Sequence, residues 1–302
     1  MSDGKEDEAG VSFCASCGKA EIDDIKLMPC DDCDLVRYCS GECQRDHKSE
    51  HEKACKKRAA ELRDELLFKQ PEGNHMGDCP ICSLPLSFNR STSGLWTCCS
   101  KIICLGCRHA NELREFQARR QRKCPFCRHP VPTYKEADKL RMKRAKANDP
   151  VAIYSEGAGH YSKGHYSRAF ECWTKAAELG DVEAHFKLAM LYHDGEGTEK
   201  DEGKLIYHLE EAAIGGHPMA RYNLGAQEYC NANDERAVKH WIIAAGQGLD
   251  ESIKALMDAF EGGFVSKEDL AAALRAQKAA IDEMKSAQRV EAEEFYRRNN
   301  IR

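Results

Sequence analysis

At 302 residues the chain is long enough for two or three domains. Its 42% hydrophobic and 31% charged content, with a net charge of −5, fits a mainly helical protein of aqueous compartments and excludes a chain held to nucleic acid by overall basicity. No apolar run approaches the roughly 20 residues of a membrane span, and the acidic opening MSDGKEDEAG has neither the basic start nor the apolar stretch of a secretory signal. These features predict an intracellular chain, cytoplasmic or nuclear, with no membrane partner and with residues 1–12 disordered.

Cysteine usage divides the chain. Fifteen of the 17 cysteines precede residue 128, and only Cys172 and Cys230 follow it. Five Cys-x2-Cys pairs stand at 14/17, 30/33, 79/82, 104/107 and 124/127. In a reducing compartment such pairs point to zinc rather than to disulfides. A Cys-x2-Cys turn aims both sulfurs at one point, and two turns complete a tetrahedron with metal–sulfur bonds of about 2.3 Å. Segments of roughly 40 to 50 residues bury too little apolar surface to fold well alone, and a bound zinc contributing about 10–16 kcal/mol becomes the core.

In residues 13–56 the order is Cys14-x2-Cys17, Cys30-x2-Cys33, Cys39-x3-Cys43, His51-x3-Cys55. The last two pairs have i, i+4 spacing, which stacks both side chains on one helix face. With Tyr38-Cys39-Ser40 and Cys43-Gln44 inside it, the segment resembles the MYND-type zinc finger. That resemblance implies alternating pairs, with Cys14, Cys17, Cys39 and Cys43 on one zinc and Cys30, Cys33, His51 and Cys55 on the other. His47 is a rival ligand, although only His51 keeps the i, i+4 relation to Cys55. Lys48 stands where family members that bind proline-containing peptides carry tryptophan, so that activity does not transfer, and a purely structural finger is the alternative. Residues 57–77 read as a helical linker.

Residues 78–130 hold Cys79-x2-Cys82, Cys98-Cys99, Cys104-x2-Cys107 and Cys124-x2-Cys127. The flanks CPIC and CPFCR resemble a RING finger, here in an all-cysteine form. The resemblance implies that Cys79, Cys82, Cys104 and Cys107 share one zinc, and Cys98, Cys99, Cys124 and Cys127 the other. Lys101 occupies the family's usual histidine position, and a protonated amine has no lone pair for a metal. Adjacent ligands are sterically tight, so His109 and His75 stand as reserves for Cys98. Fifteen cysteines and His51 make sixteen ligands, enough for four tetrahedral zinc ions.

By the same resemblance the second finger would dock a ubiquitin-conjugating enzyme and orient its thioester, with no catalytic side chain of its own. The matching positions are Ile81, Pro125 and Arg128, the last a planar cation able to bridge two proteins. Asn111 stands where an apolar docking residue is expected.

From Arg108 to Asp149 there are 13 Lys or Arg against 5 Asp or Glu. The run KLRMKRAK at 139–146 has no interleaved aromatics, so residues 131–148 read as a solvated helical linker rather than a nucleic-acid site. After residue 149 the chain repeats. Ala-Ala pairs at 176/177, 212/213 and 244/245 are each followed by a glycine, at 180, 216 and 248, and Ala152, Ala184 and Ala220 mark a helix before each pair. Small alanines let helices approach, Trp173, Leu209 and Trp241 fill the gap, and glycine ends each second helix. This pattern resembles Sel1-like repeats, relatives of the tetratricopeptide family, over residues 149–250. Residues 251–285 read as a degenerate capping repeat whose second helix starts at Ser266, and 286–302 as a charged tail forming a frayed helix. Cys172 and Cys230 read as small buried residues, and His185, His193, His208 and His240 as packed or surface side chains.

The expected architecture is mainly α, with two small cross-braced zinc fingers followed by an α-helical repeat solenoid. Two functions compete. One is a RING-type ubiquitin ligase, or ligase subunit, whose repeats recruit a partner protein; the other is a non-enzymatic zinc scaffold or adaptor.

Overall fold

The computed structural model describes residues 12–22, 24–89 and 92–300, and the segment expected to be disordered lies outside them apart from Ser12. Its contacts separate two units, Met1–Lys69 and Gln70–Arg302. The second unit takes in the second finger, the basic linker and the repeats together.

The first unit has little hydrocarbon to bury. Its core is Cys14, Cys30 and Cys33 with Leu27 and Tyr38. A two-residue ladder joins β1 (Met28–Pro29) to β2 (Arg37–Tyr38), with Met28 opposite Tyr38. Helix α1 (Gly41–Asp46) is capped by Ser40, whose hydroxyl accepts from the Cys43 amide. Helix α2 (Lys48–Leu67) carries His51 and Cys55 near its start and covers most of the expected linker. So small an apolar core cannot hold such a unit without a further constraint.

The second unit opens with a hairpin, β3 (Ser93–Trp96) against β4 (Lys101–Cys104), followed by α3 (Leu105–Gln117). Helix α4 (Tyr134–Lys146) begins at a capping box between Thr133 and Glu136. The basic linker is thus ordered, and its Arg144 is put to structural use. The Arg144 guanidinium donates to Asp149 and to Ser100 in the hairpin loop, both at 2.7 Å.

Three helix pairs follow: α5 (Pro150–Tyr161) with α6 (Tyr166–Glu178), α7 (Val182–Asp194) with α8 (Glu202–Ile214), and α9 (Pro218–Cys230) with α10 (Asp234–Gly246). The first helices start at equivalent N-caps, Asp149, Asp181 and His217, whose side chains accept from the amides of Ala152, Ala184 and Ala220. Gly180, Gly216 and Gly248 all have φ between +84° and +90°, the left-handed conformation that stops each second helix.

Packing inside each pair follows one rule. A Cβ on Gly157 would lie 2.6 Å from Trp173 Nε1, and one on Gly225 would lie 2.5 Å from Trp241 Nε1. Both indoles donate to a carbonyl one turn earlier on the facing helix, that of Tyr154 at 3.2 Å and that of Tyr222 at 3.3 Å. The middle repeat has Ala189 and Leu209 at the equivalent places, both buried. A large residue meets glycine and a medium one meets alanine, so the sum of volumes is kept.

Helices α11 (Asp250–Glu261) and α12 (Lys267–Glu283) form the fourth, degenerate pair, and Ser266 caps α12 by accepting from the Asp269 amide. Two expectations are corrected. The charged tail does not fray: α13 (Ala287–Arg298) buries Arg289, Ala292 and Tyr296 and packs on α3. Its charge hid an i, i+3, i+7 stripe in which the arginine faces inward. Nor are the two late cysteines both buried, since Cys230 is exposed near the end of α9 and Cys172 is half-buried. No helix among the described residues is long and apolar enough to cross a membrane.

Candidate metal centres

Four sets of four ligand atoms each lie within 4.8 Å of one another: Cys14, Cys17, Cys39 and Cys43; Cys30, Cys33, His51 and Cys55; Cys79, Cys82, Cys104 and Cys107; Cys98, Cys99, Cys124 and Cys127. These are the same groupings that the two resemblances imply. Their spacing has the scale of a metal tetrahedron, whose sulfur–sulfur edges are about 3.8 Å for bonds of about 2.3 Å. The observed edges include Cys30–Cys55 at 3.7 Å, Cys82–Cys104 at 3.8 Å and Cys99–Cys124 at 3.9 Å. All seventeen cysteines are free thiols.

Local backbone explains the convergence. In the third set, Cys104 ends β4 and caps α3, its sulfur accepting from the Cys107 amide at 3.4 Å, while the Cys104 amide donates to Cys79 Sγ at 3.5 Å. The adjacent Cys98 and Cys99 sit in the loop that closes the hairpin between Trp96 and Lys101. In a strand, neighbouring side chains point to opposite faces, but here Ser100 adopts φ +52° and the chain reverses. Cys98 lies 3.4 Å from Cys127 while Cys99 reaches Cys124.

The rival ligands lie elsewhere. Tyr38 and His47 share a hydrogen bond of 3.1 Å, whereas His51 Nε2 is 3.1 Å from Cys33 Sγ. His109 packs on Phe295, with ring centres 4.4 Å apart, and Lys101 lies over the Phe126 ring. His75 faces Glu183.

Crowding of thiols splits their acidities. Burial would raise the Cys14 thiol, but amide donors from Cys17, Cys39 and Ser16 outweigh it and bring it to about 6. Hydrogen bonds with Cys17 and Cys43 push Cys39 up to about 12. In the third set a bond from the Cys104 thiol, set against burial, brings Cys79 down to about 4, and burial sends Cys107 to about 12. Four thiolates cannot coexist in such a space without a cation, so metal binding must release protons.

His75, Glu183 and His217 form a fifth cluster that the sequence did not signal, because its members are far apart in the chain. The two imidazoles stack at 4.3 Å, and both Nε2 atoms face one Glu183 oxygen, at 3.1 and 3.4 Å. It suits an ion better on paper than in chemistry. His217 Nδ1 accepts from the Ala220 amide, which leaves Nε2 as the protonated nitrogen and a donor to Glu183. The cluster is a hydrogen-bonded clamp that fixes the segment before the second finger onto the second repeat.

Of the positions matched to partner docking, Ile81 is 43% exposed and Pro125 half-buried. Arg128 is engaged inside the finger, donating to Asn111 Oδ1 at 3.0 Å and to Glu115 Oε1 at 2.5 Å. Asn111 is itself buried and donates to the Lys123 carbonyl at 2.9 Å. Glu115, 1% exposed, also meets Arg114 and Arg120, and the Arg128 hydrogen bond is the main reason its carboxyl titrates below the usual range. A cleft of about 530 Å³ runs between the hairpin and the first two repeats, lined by Leu95, Ile102, Val151 and Tyr154 with Asp78 and Lys101.

A cysteine-rich finger ahead of a stacked helix-pair array defines a zinc-binding protein of the interaction or adaptor class. Residues 14–55 match the MYND finger, and residues 152–181, 182–217 and 218–249 match the Sel1 repeat, so the chain carries one MYND finger and three Sel1 repeats. The three matched repeats coincide with α5–α6, α7–α8 and α9–α10. An uncharacterized protein of Neisseria meningitidis serogroup B is 29% identical over 126 residues, which are 41% of this chain and 27% of that protein. A chitin synthase regulator of Saccharomyces cerevisiae is 33% identical over 76 residues, 25% of this chain and 11% of the regulator. The chain therefore spans only a minor part of either relative. Among solved structures, a Sel1 repeat protein from Oxalobacter formigenes aligns with a TM-score of 0.43 and 24% identity over 57% of this chain and 71% of its own. A protective antigen of uropathogenic Escherichia coli with an SLR fold gives 0.41 and 24% over 57% and 37%.

Proposed function

We propose that this chain is a non-enzymatic adaptor of the cytoplasm or nucleus, built on four zinc ions held by the sixteen ligands named above and binding a partner protein on its repeats. Arg128 carries the reading. Its guanidinium is already held by Asn111 and Glu115, so the fork that would bridge a conjugating enzyme and its ubiquitin is engaged within the finger. Part of the basic segment is paired within the chain, with Arg122 on Glu112 and Arg144 on Asp149, and the net charge of −5 does not favour nucleic acid as the partner. The cleft beside the hairpin is a natural seat for a partner's side chains.

A second reading, a RING-type ligase or ligase subunit, draws on Ile81 and Phe126, which are 43% and 44% exposed on the two metal loops. Discharge of ubiquitin from a panel of charged conjugating enzymes, with the zinc-loaded full chain added, separates the two. The adaptor reading expects the background rate throughout. Acceleration that Ile81→Ala abolishes would overturn it in favour of the ligase.

A further inference from the structure

Arg289 is a cation placed where cations are costly. It is 8% exposed, and among the described residues no carboxylate bonds to it. Its Nη1 donates to the carbonyls of Pro85 and Met284, both at 2.7 Å, and its Nη2 to the Leu84 carbonyl at 3.1 Å and to Cys82 Sγ at 3.5 Å. A buried charge needs a counter-charge. The partner at hand is the third set of sulfurs, which as four thiolates around one divalent zinc would carry a net charge of −2.

The rest of α13 is shaped to reach this place. Gly106, between the ligands Cys104 and Cys107, lies so close to α13 that a Cβ would be 3.0 Å from the Arg289 amide nitrogen and 3.1 Å from its Cα. Gln288 donates to the Gly106 carbonyl at 3.3 Å, and Tyr296 donates to Glu112 at 2.7 Å with Arg108 over its ring. Apart from the Met284 carbonyl, each of these contacts falls on the Cys82–Pro85 loop or on α3, the two elements the third set of ligands ties together.

We infer that α13 is a metal-dependent latch: Arg289 is a positioning residue in the outer sphere of the zinc held by Cys79, Cys82, Cys104 and Cys107, and occupancy of that site and docking of the C-terminal helix stabilise each other. This rests on the zinc reading of the second finger. With metal bound, the guanidinium offsets thiolate charge and fixes the orientation of Cys82. With metal lost, the Cys82–Pro85 loop and α3 are no longer tied together around the guanidinium, its contacts to both come apart, and the helix leaves. Outer-sphere partners of this kind are typically worth 10- to 100-fold in metal affinity, and linkage requires the same factor in the helix docking equilibrium.

The test uses the zinc-loaded full chain. Alkylation of each cysteine under a chelator challenge, mapped by mass spectrometry, reads the sites one by one, and hydrogen exchange of 287–298 reads the latch. Arg289→Gln should speed alkylation of Cys79, Cys82, Cys104 and Cys107 about tenfold or more, leave the first finger's cysteines unchanged, and raise exchange in 287–298. Gly106→Ala should do the same by pushing the helix off without removing the charge, while Arg298→Gln on the exposed end should change neither. If wild-type cysteines of this set are alkylated at once without chelator, the zinc reading itself fails. If they are protected, yet Arg289→Gln and Gly106→Ala both leave their protection as in the wild type, or 287–298 exchanges equally with and without zinc, the latch is overturned.

Discussion

The glycine–tryptophan packing inside the repeats can be tested against a template that the protein supplies. In Gly225→Ala the new Cβ falls 2.5 Å from Trp241 Nε1, 2.7 Å from Cδ1 and 3.1 Å from the Ala237 carbonyl oxygen. Overpacking of this kind costs about 1–3 kcal/mol, while alanine in place of glycine within a helix returns about 1 kcal/mol, so a net loss of up to about 2 kcal/mol is expected. Trp241→Leu empties part of a buried site and removes the indole bond to the Tyr222 carbonyl, together costing about 2–3 kcal/mol. Additive behaviour would put the double variant about 2–5 kcal/mol below the wild type. The double variant, however, recreates the alanine–leucine pair that the middle repeat buries at Ala189 and Leu209. Its loss should be only about 1–2 kcal/mol, a coupling of about 1–3 kcal/mol. Urea unfolding of the zinc-replete full chain, followed by far-UV circular dichroism, measures all four corners of the cycle. A double variant as unstable as the sum of the singles would refute size complementarity as the rule of these pairs.

Elemental analysis of protein purified without chelator should give four zincs per chain; Cys98→Ser should loosen one of them, whereas Lys101→Ala should keep all four, since Lys101 lies outside the ligand set. Stability should also fall in mild acid through His217. Burial, offset in part by the Glu183 hydrogen bond, holds this imidazole at about 4 against about 6.5 when unfolded. The folded group is neutral where the unfolded one takes a proton, so its contribution is whole above about pH 6.5 and is lost as pH falls toward about 4, about 2 kcal/mol of it by about pH 5. His217→Asn keeps an N-cap acceptor but cannot titrate, and its stability measured at the two pH values should drop by correspondingly less than the wild type's; an identical drop would remove His217 from the account.

Much of this could be read from the residues because the relevant signals are local. Cys-x2-Cys and i, i+4 spacings bring ligands together within one turn, and the alanine pairs and glycines recur every 32 to 36 residues, so both cysteine clusters and all three helix pairs are outlined in the residues themselves. What stayed hidden spans long separations. Arg289 and Cys82 are 207 positions apart, and Glu183 is 108 from His75. A charged tail with one inward arginine looks like any solvated tail until its partner is known. Gly157 and Gly225 carry a local signal as well, since glycine pairs with tryptophan in two repeats and alanine with leucine in the third, a covariation present in the residues of the chain. Asn111 misled differently: judged as a poor surface residue, it is a buried one that bonds to Arg128 and to the Lys123 carbonyl.

Because each tryptophan finds its glycine within its own helix pair, a repeat carries its complement with it. A cut between Glu178 and Val182, or between Ile214 and Pro218, passes outside these lock-and-key contacts, so whole pairs can be gained or lost by recombination without orphaning a large side chain. The middle pair adds contacts outside itself. Its Glu183 bonds His75, and the carbonyl of Gly216 accepts from the His75 amide at 3.1 Å, so the second finger is moored to this cassette. The first pair is tied to the finger as well, through Arg144 between Ser100 and the α5 N-cap Asp149, and α13 on α3 ties the far end, so contacts at several points set the length of the array.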